Sequence, residues 1–147
     1  MANETLVAAE WIYSTLRADA TLTAVLGDGA NGIYQDRAPA GARFPYVIFF
    51  LMDPGDTVNT TGRSQEIIWQ PTLWLVKGVH QTASYGPPLS TIEDRIYTLL
   101  HKQDGAPSIG EVFSSVRQRP FQMPETGPGG EQYRHLGGLY RLKVRAS

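Results

Sequence analysis

The chain has 147 residues, of which 41% are hydrophobic and 18% are charged, and its formal net charge is −1. This size fits one domain, residues 1–147, with enough apolar side chains for a core. The balanced charge excludes the strongly basic class of nucleic-acid binders, and the absence of cysteine excludes disulfide frameworks, thiolate metal sites and cysteine nucleophiles. No apolar run reaches membrane-helix length and no signal peptide is evident, so we expect a soluble, unprocessed protein without membrane contact.

Charge is distributed unevenly along the sequence. Residues 1–116 contain 7 Lys/Arg and 12 Asp/Glu, whereas residues 117–147 contain 6 and 2. An acidic body with a basic C-terminal segment can bind anions, or it can pair with a second copy of itself. Self-association is the interpretation that we favour.

Helical patterns occupy the N-terminal segment and the middle of the chain. Asn3 is a suitable cap for a helix that runs to about Asp19, and Asp19 can cap a second, short helix over 20–26. Apolar residues recur at helical spacing in the first of these, at Leu6, Ala9, Tyr13 and Leu16. A second long helix begins with the capping box Ser90–Glu93 and ends at Asp104–Gly105.

Five strands are predicted from apolar or alternating runs between turn signals. Pro71 removes a ladder donor, which favours an edge position or a bulge for its strand. Two polar segments, Thr57–Gln65 and Gln118–Gln132, are predicted to be long loops. The predicted strands are Ile33–Tyr34, Tyr46–Met52, Glu66–Lys77, Val112–Arg119 and Tyr133–Arg145.

These elements predict an α+β fold, with a mixed, mostly antiparallel sheet of about five strands and two main helices packed on one face. Two helices leave the other face of such a sheet uncovered. Large uncovered apolar patches are rare in monomers, so the sequence predicts association with further copies. The aromatic residues on strands that are apolar on both faces are Tyr46, Phe49, Phe50, Trp69, Trp74, Phe113 and Phe121.

No motif for catalysis or for metal binding is evident. His80, His101 and His135 are far apart in sequence and lack ligand spacing, and Asp53 with Asp56 is more typical of a turn than of a calcium site. The glycine-rich segments lack the Lys-Ser/Thr ending of a phosphate loop. We therefore expect no catalytic residue, no metal and no cofactor.

The last predicted strand is basic on one face. Arg141, Lys143 and Arg145 alternate with Tyr140, Leu142 and Val144, so the cations share a face. Arg117 and Arg119 would extend this stripe if their strand is a neighbour. Such a face can contact phosphates or bind an acidic surface of another subunit, and it lacks the interleaved aromatics that stack bases.

A more specific signal lies in residues 32–50. The segment Gly32-Ile-Tyr-Gln-Asp-Arg-Ala-Pro39, followed by Phe44-Pro-Tyr-Val-Ile-Phe49, resembles the signature of the tail-completion, or tail-terminator, proteins of long-tailed bacteriophages. In that family a helix pair precedes this segment, and a polar hairpin, a strand, a helix and two late strands follow it, much as here. The chain departs from the family pattern in its long Pro- and Gly-rich segment Gln118–Gln132.

The resemblance implies a structural, non-enzymatic virion protein of the tail or neck, made and assembled in the host cytoplasm. It implies a ring, usually a hexamer, that caps the last ring of tail-tube protein and binds the head connector, while DNA passes through the lumen without sequence recognition. The residues predicted to line the subunit interface or the lumen are Arg141, Lys143, Arg145, Arg117, Arg119, Asp36, Arg37 and Arg63.

Two alternatives remain open from the sequence. A head-side connector or stopper of the same neck has a similar size and composition. A small-molecule-binding or enzymatic α+β domain is the alternative from a different class, and it predicts a monomer or dimer with a deep pocket and convergent polar groups.

Overall fold

The computed structural model describes residues 3–56, 58–59 and 67–147. The predicted loop over 57–65, with Arg63, therefore lies almost entirely outside the described residues, apart from the short strand β3. The elements in chain order are α1 Glu4–Arg17, α2 Ala20–Thr23, β1 Ile33–Gln35, β2 Tyr46–Asp53, β3 Val58–Asn59, β4 Ile67–His80, α3 Leu89–Leu100, β5 Gln103–Gly105, β6 Gly110–Thr126 and β7 Gln132–Ala146.

The caps predicted for the first two helices are confirmed. The Asn3 side chain accepts a hydrogen bond from the backbone N–H of Leu6 at 3.0 Å, which satisfies one of the free donors at the start of α1. Asp19 accepts in the same way from Leu22 at 2.9 Å at the start of α2.

The boundaries predicted for α3 are wrong at both ends. The helix begins at Leu89, after Pro88, and no side chain caps it. Glu93, the expected partner in a capping box, instead forms an ion pair with Arg117 of β6. The helix ends at Leu100, because residues 103–105 form the short strand β5 against β6.

The strands form one mixed sheet in the order β1-β2-β4-β7-β6-β5, and β3 pairs with the start of β4. The pairing of β1 with β2 is parallel, and the other described pairings are antiparallel. The predicted α+β class with a mostly antiparallel sheet is confirmed. The strand number exceeds the predicted five because β3 and β5 are too short to produce a periodic pattern.

The helices pack on one face of this sheet, and the main core lies between them and the strands. One group of polar atoms inside it is paired locally: the indole N–H of Trp74 donates to the Thr72 hydroxyl at 2.9 Å, which donates to the Leu142 carbonyl at 3.1 Å. Fully buried members of this core include Val7, Ile12, Leu16, Val76, Ile92, Ile96, Tyr140, Leu142 and Val144.

The other side of the sheet, here called the open face, has no described helix packed on it. Its central residues, Ile48, Leu75, Val79 and Leu139, are nevertheless buried, although they are not members of the main core. Neighbouring side chains of the open face cover them. Prominent among these is Lys77, whose ammonium lies 5.7 Å from the Phe50 ring and 5.6 Å from the Phe121 ring. The open face is therefore partly shielded by its own side chains.

Gly137 leaves the space through which the Lys77 side chain reaches these rings. The two residues are directly opposed on β7 and β4, and a Cβ at Gly137 would lie 2.1 Å from the Val76 carbonyl oxygen and 2.5 Å from the Lys77 Cα. Phe121 of β6 pairs with Gly137 on its other side. The Lys77 side chain thus crosses the space above the glycine to reach Phe121.

The loop predicted over 118–132 is largely wrong. β6 continues to Thr126, and only a tight turn over 127–131 joins it to β7, closed by the bond from the Gly127 N–H to the Glu131 carbonyl at 2.8 Å. The loop was predicted because of Pro120 and Pro124. Both prolines lie in a stretch of β6 that pairs with β7 alone among the described strands. An edge of this kind tolerates proline, because no neighbouring strand needs its N–H.

The strand of Pro71 is not an edge strand, because β4 lies between β2 and β7, but Pro71 itself falls at a gap between partners on one side of β4. Its strand pairs with β2 as far as Leu73 and with β3 from Trp69, so Pro71 falls between the two partners on that side. A missing N–H costs no ladder bond there.

An ion pair joins the N-terminal helices to α3. Arg95 donates two hydrogen bonds to the Asp19 carboxylate, at 2.8 and 3.0 Å, and Asp19 is also the cap of α2. The bond from Arg95, together with that from Leu22, lowers the pKa of Asp19 although burial opposes the shift. The pair therefore adds a polar contact between the start of α2 and α3.

Asp19→Asn should lower the free energy of unfolding at pH 7 by about 1–3 kcal/mol, because asparagine can still cap α2 but removes the charge that Arg95 binds. Since the folded-state pKa of Asp19 lies below 3.8, this contribution is present above that pH and disappears as the pH falls through the folded-state pKa. Denaturant unfolding at pH 7 and pH 2–3 measures it, with exposed Asp104→Asn as the control. A constant difference at both pH values would contradict the assignment.

Gly137→Ala should destabilise the fold by about 1–3 kcal/mol, because its methyl group would overlap the β4 backbone. Gly41→Ala is the matched control, since no heavy atom lies within 4 Å of a Cβ at that position. Thermal unfolding of both variants checks this, and equal melting temperatures would show that β4 and β7 are not so closely apposed.

Candidate assembly surfaces

The basic stripe predicted on the last strand lies on the open face. Tyr140, Leu142 and Val144 of β7 are fully buried against the helices, so the alternating residues between and beyond them point the other way. The Arg141 guanidinium is half-buried and donates to the Pro71 carbonyl at 2.9 Å, whereas Lys143 and Arg145 are exposed. The three residues are called the basic stripe below.

Two cations of the basic stripe lie over aromatic rings. The Lys143 ammonium is 5.3 Å from the centre of the Trp69 ring, and the Arg145 guanidinium is 5.4 Å from the Phe113 ring. Arg145 also lies 3.8 Å from the Glu111 carboxylate, an exposed pair that contributes little to stability. The positive charge of the basic stripe is therefore little compensated by Glu111, and it lies beside apolar rings.

Arg117 does not extend the stripe, contrary to the prediction. A register shift between Arg117 and Arg119 places Arg117 opposite Tyr140, on the helix side, where it pairs with Glu93 and lies 4.4 Å from the Tyr97 ring. Arg119 pairs with Leu139 on the open face and is exposed. One extra residue in β6 thus separates two arginines that the alternation had placed together.

The other predicted residues lie away from the stripe. Asp36 and Arg37 follow β1 at the far edge of the sheet and are both exposed. Asp36 has a φ of 70°, a left-handed conformation that Asp tolerates better than most residues, and its N–H donates to the Phe49 carbonyl at 2.9 Å. Arg63 lies outside the described residues.

Exposed apolar side chains accompany the stripe on β6. Phe113, Val116 and Met123 are 37%, 38% and 37% exposed. Val116 is paired with Arg141, and Met123 with His135 of β7. The open face thus combines a shielded centre with a border of exposed apolar and basic residues.

A second cluster on the open face was not anticipated from the sequence. Lys77 is only 9% exposed, and burial lowers its pKa. Near it the His135 ring lies 3.0 Å from the Glu125 carboxylate, and burial lowers the His135 pKa although Glu125 opposes the shift. The sequence signal for this cluster was Lys77 itself, a lysine within an apolar run. A lysine buried in such a strand needs neighbouring side chains that cover its stem.

On the helix side, a largely apolar surface depression runs along α1. It has a volume of about 480 Å³ and is called the α1 groove. Leu6, at its rim, is 51% exposed, more than most large apolar residues of the described chain. The groove is lined by Leu6, Ala9, Glu10, Tyr13, Gln35, Phe49 and Ile109.

Two kinds of feature are absent from the described residues. No group of three or more His, Asp or Glu side chains within residues 3–56, 58–59 and 67–147 is placed to hold a metal ion. In the same residues no helix has the length and apolar character needed to span a bilayer.

Comparisons with known proteins agree with the signature in residues 32–50. The family model described as "Tail completion protein gp17" matches residues 10–84, just over half of the chain. A chain from the structure titled "Virion of native gene transfer agent (GTA) particle" has a similar fold, with a TM-score of 0.61, 17% identity and 92% of each chain covered. No curated protein matches the sequence. On the strength of the family match, the resemblance is confirmed: this chain belongs to the tail completion protein gp17 family and is a structural protein of a bacteriophage tail.

Proposed function

We propose that this protein forms a ring, a hexamer, at the head-proximal end of a phage tail, where it ends tail-tube growth and joins the tail to the head connector. The observation that carries the proposal is the open face, which no described helix covers and whose border holds exposed apolar side chains beside the basic stripe. Such a combination favours a protein–protein contact over a solvated surface.

A closed ring requires two different surfaces on each subunit, because each copy meets its two neighbours through opposite sides. This chain offers an open face with exposed cations and a helix side on which acids such as Glu10 of α1 lie. Complementary charge on these surfaces favours head-to-tail contact over two-fold pairing of identical patches. Asp36 and Arg37, at the β1 edge, are further candidates for pairing between subunits.

The structural neighbour supports the placement in a virion. It comes from a virion of a gene transfer agent particle, and the similarity extends over 92% of both chains. Within such an assembly we place this protein in the neck, assembled in the host cytoplasm, with the head connector on one side and the tail-tube protein on the other. DNA passing through the lumen needs no sequence recognition, and the cations provide contacts to phosphate alone.

Termination is tested by adding the purified protein to polymerising tail-tube subunits and imaging the products by electron microscopy. Tubes of limited length with an added cap at one end support the proposal. Binding to isolated head connectors but not to tubes would instead identify a head-side connector or stopper. A monomer that binds neither would overturn the proposal.

Reversing the three charges of the basic stripe, Arg141→Glu, Lys143→Glu and Arg145→Glu, should abolish ring formation or tail joining, because it places like charges against an acidic neighbour. The charge-preserving variant Arg141→Lys, Lys143→Arg and Arg145→Lys is the control and should assemble. Ring yield by microscopy and complementation of tail joining are measured. Thermal unfolding confirms that both variants fold, and normal rings with full joining activity in the reversed variant would contradict the role of the stripe.

A further inference from the structure

We infer that α1 of one copy packs on the open face of the next copy around the ring, with Leu6 against Phe113 and Val116, and Glu10 near the basic stripe. The inference rests on the proposed ring and names the two surfaces that would meet. Its partner is a second copy of this chain.

The exposed side of α1 is suited to burial. Leu6 is 51% exposed beside the α1 groove, whose other lining residues are mostly apolar. Glu10 is the one charged residue of that lining. Its carboxylate accepts a hydrogen bond from the Ser108 hydroxyl at 3.1 Å, and no described cation lies within 4 Å of it. An apolar rim with an acid that lacks a cationic partner among the described residues fits an apolar surface that carries cations.

The other long helix lacks these properties. Tyr97 is the large apolar side chain that α3 exposes, at 37%. Its ring is already stacked on His101, with centroids 4.5 Å apart, and lies 4.4 Å from the Arg117 guanidinium. These contacts within the chain leave α3 with little unsatisfied apolar surface, so α1 is the helix expected at the interface.

The open face provides the complementary surface. Phe113 and Val116, both on β6, are more than one-third exposed. Arg145 lies over the Phe113 ring, and Val116 is paired with Arg141. Apolar and basic groups thus lie side by side in the same area. Leu6 would contact the apolar groups, and Glu10 would lie near the basic ones.

The placement of the two surfaces also suits a ring. α1 packs on one side of the sheet, and its buried residues Val7, Ile12 and Leu16 share a core with Tyr140 and Leu142. The basic stripe alternates with those β7 residues and points to the opposite side. Surfaces on opposite sides of a subunit can join copies head to tail, and each copy would then cover the open face of its neighbour.

Cysteine cross-linking tests this contact directly, because the natural chain contains no cysteine. Leu6→Cys and Val116→Cys are made as separate proteins, mixed, assembled on tail tubes and oxidised mildly. A covalent dimer that needs both variants supports the inference, and the double variant should give a ladder up to the full ring. Thr98→Cys, on an exposed position of α3, replaces Leu6→Cys in the matched control and should not cross-link to Val116→Cys.

The outcomes separate the inference from the proposed function. Rings visible by microscopy without the 6–116 cross-link, or with a 98–116 cross-link in its place, would overturn the inference and leave the ring intact. Absence of any ring or cap on tubes for the unmodified protein would overturn the proposed function, and the inference with it.

Charge reversal gives a second measurement. Glu10→Arg should raise the protein concentration needed for half-maximal ring assembly by about tenfold or more, the effect of a like-charge contact at an interface. Asp94→Arg, an equal charge change at an exposed position of α3, is the control and should have a smaller effect. An equal effect of the two reversals would show that only overall charge matters and would overturn the assignment of α1.

Discussion

The alternation of side chains along β7 determines what each side of the sheet presents. Tyr140, Leu142 and Val144 are all fully buried beneath the helices, and this fixes the register of the central strand. The same register necessarily sends Arg141, Lys143 and Arg145 to the other side. The core and the candidate assembly surface are therefore two results of one pattern, and a slip by one residue would destroy both.

In the part of the chain that the structure describes, the helices lie on one side of the sheet, and this gives the molecule two unlike surfaces. The centre of the open face is shielded by Phe50, Lys77 and Phe121. The isolated subunit therefore does not expose the whole apolar area of this face. The border remains exposed and cationic. A subunit of this kind can stay folded alone and still gain from contact with others, which suits the assembly role that we propose.

The long elements were predictable because their patterns extend over several turns or strand repeats, and both caps at Asn3 and Asp19 followed from local chemistry. The extension of β6 was missed because proline and glycine are typical of loops, while an edge strand tolerates them. Arg117 was assigned to the wrong face of the sheet. A bulge in β6 reverses the alternation of side chains between the two faces, and a single sequence gives no signal for it. The position of Lys77 depends on Gly137, 60 residues away, a pairing that only the folded sheet reveals.

The two prolines of β6 have a consequence for the behaviour of free subunits. Pro120 and Pro124 sit where β6 has β7 as its one described strand partner. Proline has no amide hydrogen to donate to an incoming strand. This edge of β6 therefore resists nonspecific pairing with a strand of another molecule. Newly made molecules can thus accumulate without polymerising through their main chains, and the choice of neighbour is left to side chains that recognise shape and charge.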